Sequence, residues 1–198
     1  MTNLIPLFVF ALVMYITPGP NNVMVASSAA NYGIRATLPH MLGIAIGFAL
    51  MLDLVSAGIA GLLIAMPALT LTMRVLGAMW MAWLAYKIAT AKPPQPGEQR
   101  GRLMGFFGAA AFQWINPKAW MIALAVATTF LRPDEPLSLE LLRLTLAFLI
   151  CSVPSLYAWA LIGSGARRLL RSPRAFRIFN VSMGGLLLAS VIPIVMEE

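Results

Sequence analysis

Two charged side chains fall near the middle of apolar runs, where an ionisable group costs on the order of 3 kcal/mol on insertion scales. They are Asp53 and Lys118. An acid at that depth should face the interior of a helix bundle. There it is either protonated and bonded to a neighbouring helix or it takes part in moving an ion or a solute. Lys118 lies about 14 residues, or about 21 Å of helix, from either end of its run, too far for simple snorkelling to an interface. It directly follows Asn116-Pro117. A related stretch, Thr17-Pro18-Gly19-Pro20-Asn21-Asn22, interrupts the first apolar run. Pro18 and Pro20 lack backbone donors and Gly19 is permissive, so the helical ladder must open at both places. Open backbone at membrane depth is tolerated only where it is buried in protein or lines a cavity.

The elements that must position these residues follow from composition. The chain of 198 residues is 60% hydrophobic and 11% charged, with mean hydropathy +0.84. Soluble domains carry about 25% charge, so this is an integral membrane protein with no room for a soluble domain. Six runs reach the roughly 20 apolar residues that a spanning helix needs: about 4–30, 39–65, 69–91, 104–131, 139–163 and 176–196. Leu4–Ile16 reads as helix before the first break and Val23–Ala30 as helix after it. Pro39 starts the second span and Pro67 ends it. Gly43 and Gly47 form a small-xxx-small pair suited to close helix packing. Ser152-Val153-Pro154-Ser155 is a milder interruption of the fifth span. The N-terminus has no basic region or cleavage site and reads as the start of the first span.

Pro18 and Pro117 are 99 residues apart in a chain of 198, so each half carries one proline-broken helix at the same depth. That points to a site between two repeats. The polar, proline-rich stretch 92–103 divides a first three-helix repeat (1–91) from a second (104–198), all in one transmembrane domain. The predicted fold class is therefore an all-α integral membrane protein of six transmembrane helices, built as two repeats with the first helix of each broken by proline. If the spans alternate, loops one, three and five carry ten basic residues: Arg35; Lys87, Lys92, Arg100, Arg102; and Arg167, Arg168, Arg171, Arg174, Arg177. The opposite side carries three, Arg74, Arg132 and Arg143. This bias places both termini outside the cytoplasm. Three spans per half then make the repeats inverted.

The net charge of +7 does not point to nucleic acid, because the basic residues flank hydrophobic spans. The arginine loop before the last span reads as a topology signal in contact with anionic lipid. His40 is the sole histidine and Cys151 the sole cysteine. Neither a metal site nor a nucleophile–base constellation can be assembled from them, so no enzyme, metal or cofactor is expected. His40 reads as interfacial. A membrane electron carrier of the disulfide-relay type would need a cysteine pair.

The combination of Thr17-Pro-Gly-Pro-Asn21, Gly33, Gly43, Gly47 and Ile115-Asn-Pro-Lys-Ala-Trp120 resembles the LysE/RhtB amino-acid exporter family over nearly the whole chain. The resemblance implies a bacterial inner-membrane protein that exports amino acids or their analogues, driven by the proton gradient. Joined to the residues, it suggests a division of labour. The half-helix that begins near Asn21 holds a carboxylate at its positive end, with Asn22 assisting. Lys118 is a second carboxylate partner or pairs with Asp53. Asp53 is the ammonium partner or the proton carrier. Thr17 and Asn116 supply polar contacts at the breaks. One internal acid and one internal lysine favour a zwitterionic substrate. A passive channel for small polar metabolites is the alternative, and a homo-oligomer stays open.

Overall fold

The computed structural model describes residues 4–59, 67–90, 104–132, 134–169 and 172–189; the linker 92–103 lies outside them. Among the described residues there are eight α-helices and no strand. The six apolar runs become eight helices because each break ends one helix and starts another. Helix α1 is Ile5–Ile16 and α2 is Pro20–Tyr32. They meet at 54°. Helix α5, Phe106–Phe112, passes through a 3₁₀ turn at Gln113–Ile115 and stops at Asn116, where α6, Pro117–Thr129, begins. Pro20 and Pro117 each take the first position of the new helix, where a missing N–H costs nothing.

The other prolines act differently from the expectation. Helix α3, Ile34–Leu54, starts five residues before Pro39. Gly33, with φ 85°, turns the chain in a conformation that suits glycine. Its carbonyl then accepts from both the N–H and the hydroxyl of Thr37 (3.3 and 2.9 Å), which anchors the first turn ahead of the proline. Pro39 is exposed and interrupts only that solvated or lipid-facing side. A π-turn at Val55–Ile59 follows α3, with Gly58 out of helical geometry at φ 124°. Pro67 opens helix α4, Pro67–Ala89, and the expected end of the second span before it lies outside the described residues. Helix α7, Leu137–Leu169, runs unbroken past Pro154, whose ring is exposed. Nearby, Ser152 donates its hydroxyl to the Leu149 carbonyl at 2.8 Å. Helix α8, Pro173–Ala189, is capped by Ser172, whose hydroxyl accepts from Ala175 N at 3.1 Å.

Ile34–Gly58 and Leu137–Gly165 are each long and apolar enough to cross a membrane, and the bent α1–α2 pair makes a third such segment. Helix α7 packs against α1, α2 and α3, while α3 also packs on α5, and α4 pairs with α8. Asp53 meets Thr145 and Phe48 meets Phe148, so α3 and α7 run antiparallel.

Within a bilayer, close approach rather than water exclusion holds helices together, and small residues make it possible. A Cβ at Gly47 would lie 2.5 Å from Ala110 Cα, and one at Gly43 would strike the Phe106 carbonyl. The packing role of this pair is thus visible at the α3–α5 contact. Gly163 of α7 meets the Ala26 carbonyl of α2 in the same way, whereas Gly165 has open space around it. Gly163→Ala should therefore destabilise by about 1–3 kcal/mol through overpacking. Gly165→Ala, on the same helix, should be neutral or gain up to about 1 kcal/mol from helix propensity. Thermal midpoints of the two variants in detergent check this pair of outcomes.

Candidate functional site

At the first break Pro18 contributes no N–H and the carbonyls of the last turn of α1 lose their helical donors. Side chains replace them. Asn22 donates its amide to the carbonyls of Tyr15 (2.6 Å) and Thr17 (2.8 Å). Trp159 of α7 donates its indole N–H to Ile16 O at 3.2 Å. Lys118 crosses from the second break and donates Nζ to Thr17 O (2.8 Å) and Pro18 O (3.3 Å). Thr17 turns its own N–H and hydroxyl back to Val13 O. The carbonyls of residues 15–18 are all satisfied.

The lysine reaches this position because residue 19 has no side chain. A Cβ there would lie 2.8 Å from Lys118 Cδ and 3.0 Å from Nζ. Asn21 and Gln113 add a reciprocal amide pair: Asn21 Nδ2 donates to Gln113 Oε1 (2.9 Å) and Gln113 Nε2 donates to Asn21 Oδ1 (3.2 Å). Gln113 is fully buried and its Nε2 also donates to Ala109 O at 2.9 Å. Thus the two breaks are bolted together across the halves of the chain.

Between them lies a partly open cavity whose outline spans about 390 Å³, open solvent included, with about 30 Å³ free for a water-sized group. Its polar side is made by Asn21, Asn22, Asn116 and Lys118, its backbone side by Gly19 and Pro20, and its apolar wall by Met14, Tyr15, Phe48, Ile122 and Phe148. Lys118 is the one charged residue in this lining. The helix starts on either side differ. Asn116 caps α6, its Oδ1 accepting from Lys118 N at 3.2 Å. Gly19 offers α2 no side-chain cap, so the first-turn N–H groups at Asn21 and Asn22 stand at the cavity wall without one. Such a helix start is suited to a negative group.

Of the residues marked from sequence, Gly19, Pro20, Asn21, Asn22, Asn116 and Lys118 line the cavity. Thr17 and Pro18 border it through the carbonyls that hold Lys118, and Pro117 is buried at the first position of α6. Asp53 is elsewhere. It is half-buried on α3, and its Oδ1 accepts from Thr145 Oγ1 of α7 at 2.6 Å. Among the described residues no ion pair joins Asp53 to Lys118. Gln113, Tyr15, Phe48 and Phe148 carry no role in the sequence reading. Gln113 alone left a signal, as an amide in an apolar run three residues before Asn116.

Two further polar groups are buried. His40 of α3 is at 1% exposure and faces α2, with Nδ1 3.4 Å from Ser28 Oγ. Core packing of α3 on α2, set by Gly33, draws it inside. Glu140, in the first turn of α7, is fully buried and bound by two arginines. Arg132 N donates to Oε2 (3.1 Å) and Arg132 Nε to Oε1 (3.0 Å), and Arg143 Nη2 donates to Oε2 (2.6 Å). Arg143 also donates to the Phe130 carbonyl. This cluster ties the end of α6 to the first turns of α7.

Comparison with known proteins gives a consistent outcome. The family model described as LysE type translocator matches residues 12–193. The cysteine/O-acetylserine efflux protein of Escherichia coli (strain K12) is 30% identical over 171 residues, which is 86% of this chain and 87% of that protein. The protein of the same description from Shigella sonnei (strain Ss046) matches to the same extent. Its counterpart in Shigella flexneri serotype 5b (strain 8401) is 30% identical over 163 residues, 82% of this chain and 83% of that protein. No solved structure matches the chain.

The carbonyl network predicts the effect of removing one donor. Asn22→Leu keeps the branched shape but strips two carbonyls of a partner, so it should destabilise by about 1–3 kcal/mol. Thr90→Val, which removes an exposed hydroxyl bonded to Tyr86 O, should stay within about 0.5 kcal/mol. Thermal midpoints in detergent separate the two.

Proposed function

The chain belongs to the LysE-type translocator family, and from that premise we propose that it is a secondary exporter of neutral amino acids or their derivatives across the bacterial inner membrane, coupled to protons by antiport. The observation that carries this reading is the cavity between the breaks, with Lys118 as its one charged lining residue beside the uncapped start of α2. A substrate carboxylate takes Lys118 and the first-turn N–H groups of α2, as charge-assisted bonds. The side chain lies against Met14, Phe48, Ile122 and Phe148. The lining holds no acid, so a second positive charge on the substrate finds no partner there and is repelled by Lys118. A small neutral amino acid fits this chemistry, and the relatives are described as exporters of cysteine and O-acetylserine.

Asp53 serves as the proton carrier. It is the acid of the spanning helices outside the Arg132–Glu140–Arg143 cluster among the described residues, and it is held by a neutral partner, Thr145. A carboxyl held by a hydroxyl can gain and lose a proton without breaking an ion pair.

An inverted pair of three-helix repeats, 1–91 and 104–198 about the cytoplasmic linker 92–103, accounts for several contacts at once. Equivalent positions 99 residues apart touch: Gly19 meets Lys118, and Gly184 meets Ala85. Helices α3 and α7, equivalent in such a repeat, run antiparallel. With the basic loops inside, both termini lie on the outer side.

Inside-out vesicles with an interior-acid gradient test the function. The wild type should accumulate a labelled neutral amino acid above its outside concentration and lose that accumulation when the gradient is collapsed. Lys118→Met should lower uptake at sub-saturating substrate by at least about tenfold, the loss of one charge-assisted contact. Asp53→Asn should abolish gradient-driven accumulation while preserving exchange of labelled for unlabelled substrate. Equilibration without accumulation in the wild type would make the protein a facilitator. Full accumulation by Asp53→Asn would remove Asp53 from coupling.

A further inference from the structure

We propose that Tyr15, Phe48 and Phe148 form an aromatic gate between the Lys118 cavity and the Asp53–Thr145 pair, so that the two polar sites are successive stations on one path. The proposal rests on the transport reading above and concerns the order of its parts.

The order can be followed along α7. Trp159 bonds Ile16 O, which fixes the first break beside that residue. Seven residues earlier, Ser152 lies beside the Tyr15 hydroxyl, which is buried. Phe148 comes next and meets Tyr15 and Phe48, with ring centroids 6.0 and 5.5 Å apart. The Tyr15 and Phe48 centroids are 6.0 Å apart. Thr145, with Asp53, is about 4.5 Å of helix further on, and on α3 Asp53 lies about 7.5 Å beyond Phe48. The cavity touches α3 and α7 only at Phe48 and Phe148. Tyr15, on the break side, is also in its lining. The three rings are thus the cavity's wall toward Asp53, contributed by three different helices.

Each ring comes from a separate helix, so a small shift of α1, α3 or α7 can part the layer. Phe48 and Phe148 are almost fully buried, at 4% and 1% exposure, so the layer is shut in this structure. Beyond it, Met51, Leu52, Val55 and Leu144 pack in the same apolar cluster. On the other side the cavity carries its polar lining. An aromatic seal between a polar cavity and a lone acid is what a transporter needs to prevent both groups from opening to one aqueous side together. A purely structural trio would have no such boundary to guard.

The test uses full-length protein in proteoliposomes, with a labelled neutral amino acid that the wild type transports. Phe148→Ala and the milder Phe148→Leu should raise downhill substrate leak in the absence of a pH gradient by about tenfold and threefold. Because Phe148 also lines the cavity, exchange is measured alongside, and the ratio of leak to exchange should rise in both. Phe148→Met, which retains bulk, should leave that ratio near the wild-type value. A second readout serves where Phe148→Ala fails to fold. In a Cys151→Ala background, Thr145→Cys should react slowly with a small water-soluble thiol reagent, and at least fivefold faster once Phe148→Leu is added. Unchanged leak and an unchanged labelling rate at position 145 in a folded Phe148→Leu protein would overturn the gate while leaving the exporter intact. Absence of any amino-acid flux in the wild type would defeat the exporter reading and the gate with it.

Discussion

The structure depends on one constraint: a helix opened inside a bilayer must find partners for its freed carbonyls within the protein. At the first break four consecutive carbonyls, those of Tyr15, Ile16, Thr17 and Pro18, are each met by a side chain. The donors come from three places. Asn22 is local, Trp159 is on α7, and Lys118 is on α6. The break is therefore a junction between helices distant in sequence, and the cavity beside it is a by-product of how that junction is closed. Gly19 belongs to the same solution, since any side chain there would displace the lysine.

Much of this plan is legible in the residues. Proline spacing locates both breaks, and the glycine pair on α3 announces a close contact that α5 supplies. The partners of the breaks are not legible. A backbone carbonyl carries no residue identity, so nothing in the chain indicates that Lys118 binds residues 17 and 18 rather than Asp53. Asn21 and Gln113 are 92 residues apart, and their pairing exists only after the halves have packed. Phe48 and Phe148 look like any other aromatic in an apolar span. Pro39 and Pro154 look like breakers in the sequence, but their effect depends on which face they occupy. Both are exposed, where the missing donor disturbs no packed partner. His40 shows the same limit: its place near a helix end says nothing of its burial against α2.

The two breaks are alike in sequence and unlike in chemistry. Asn116 uses its side chain to cap α6, so the start of that helix is already neutralised. Gly19 cannot cap α2, and Asn22 turns its amide toward carbonyls instead. One helix start is left without a side-chain cap and the other is closed. Two near-equivalent motifs thereby yield a single anion-favouring point rather than a symmetric pair.

On the proposed reading, that asymmetry gives Lys118 two roles that compete. Its ammonium now holds the Thr17 and Pro18 carbonyls. In the proposed site the same ammonium meets a substrate carboxylate. An ammonium has three donors, so it can hold all three only while the break keeps its present shape. Thr17 retains Asn22 if the lysine moves, but Pro18 has no second donor among the described side chains. A carboxylate that draws Lys118 toward the cavity therefore loosens the break at Pro18 first. Tyr15 is three residues away on α1 and is part of the aromatic layer. Occupancy of the cavity and the packing of that layer are then linked through one short piece of backbone, without any need for a longer-range device.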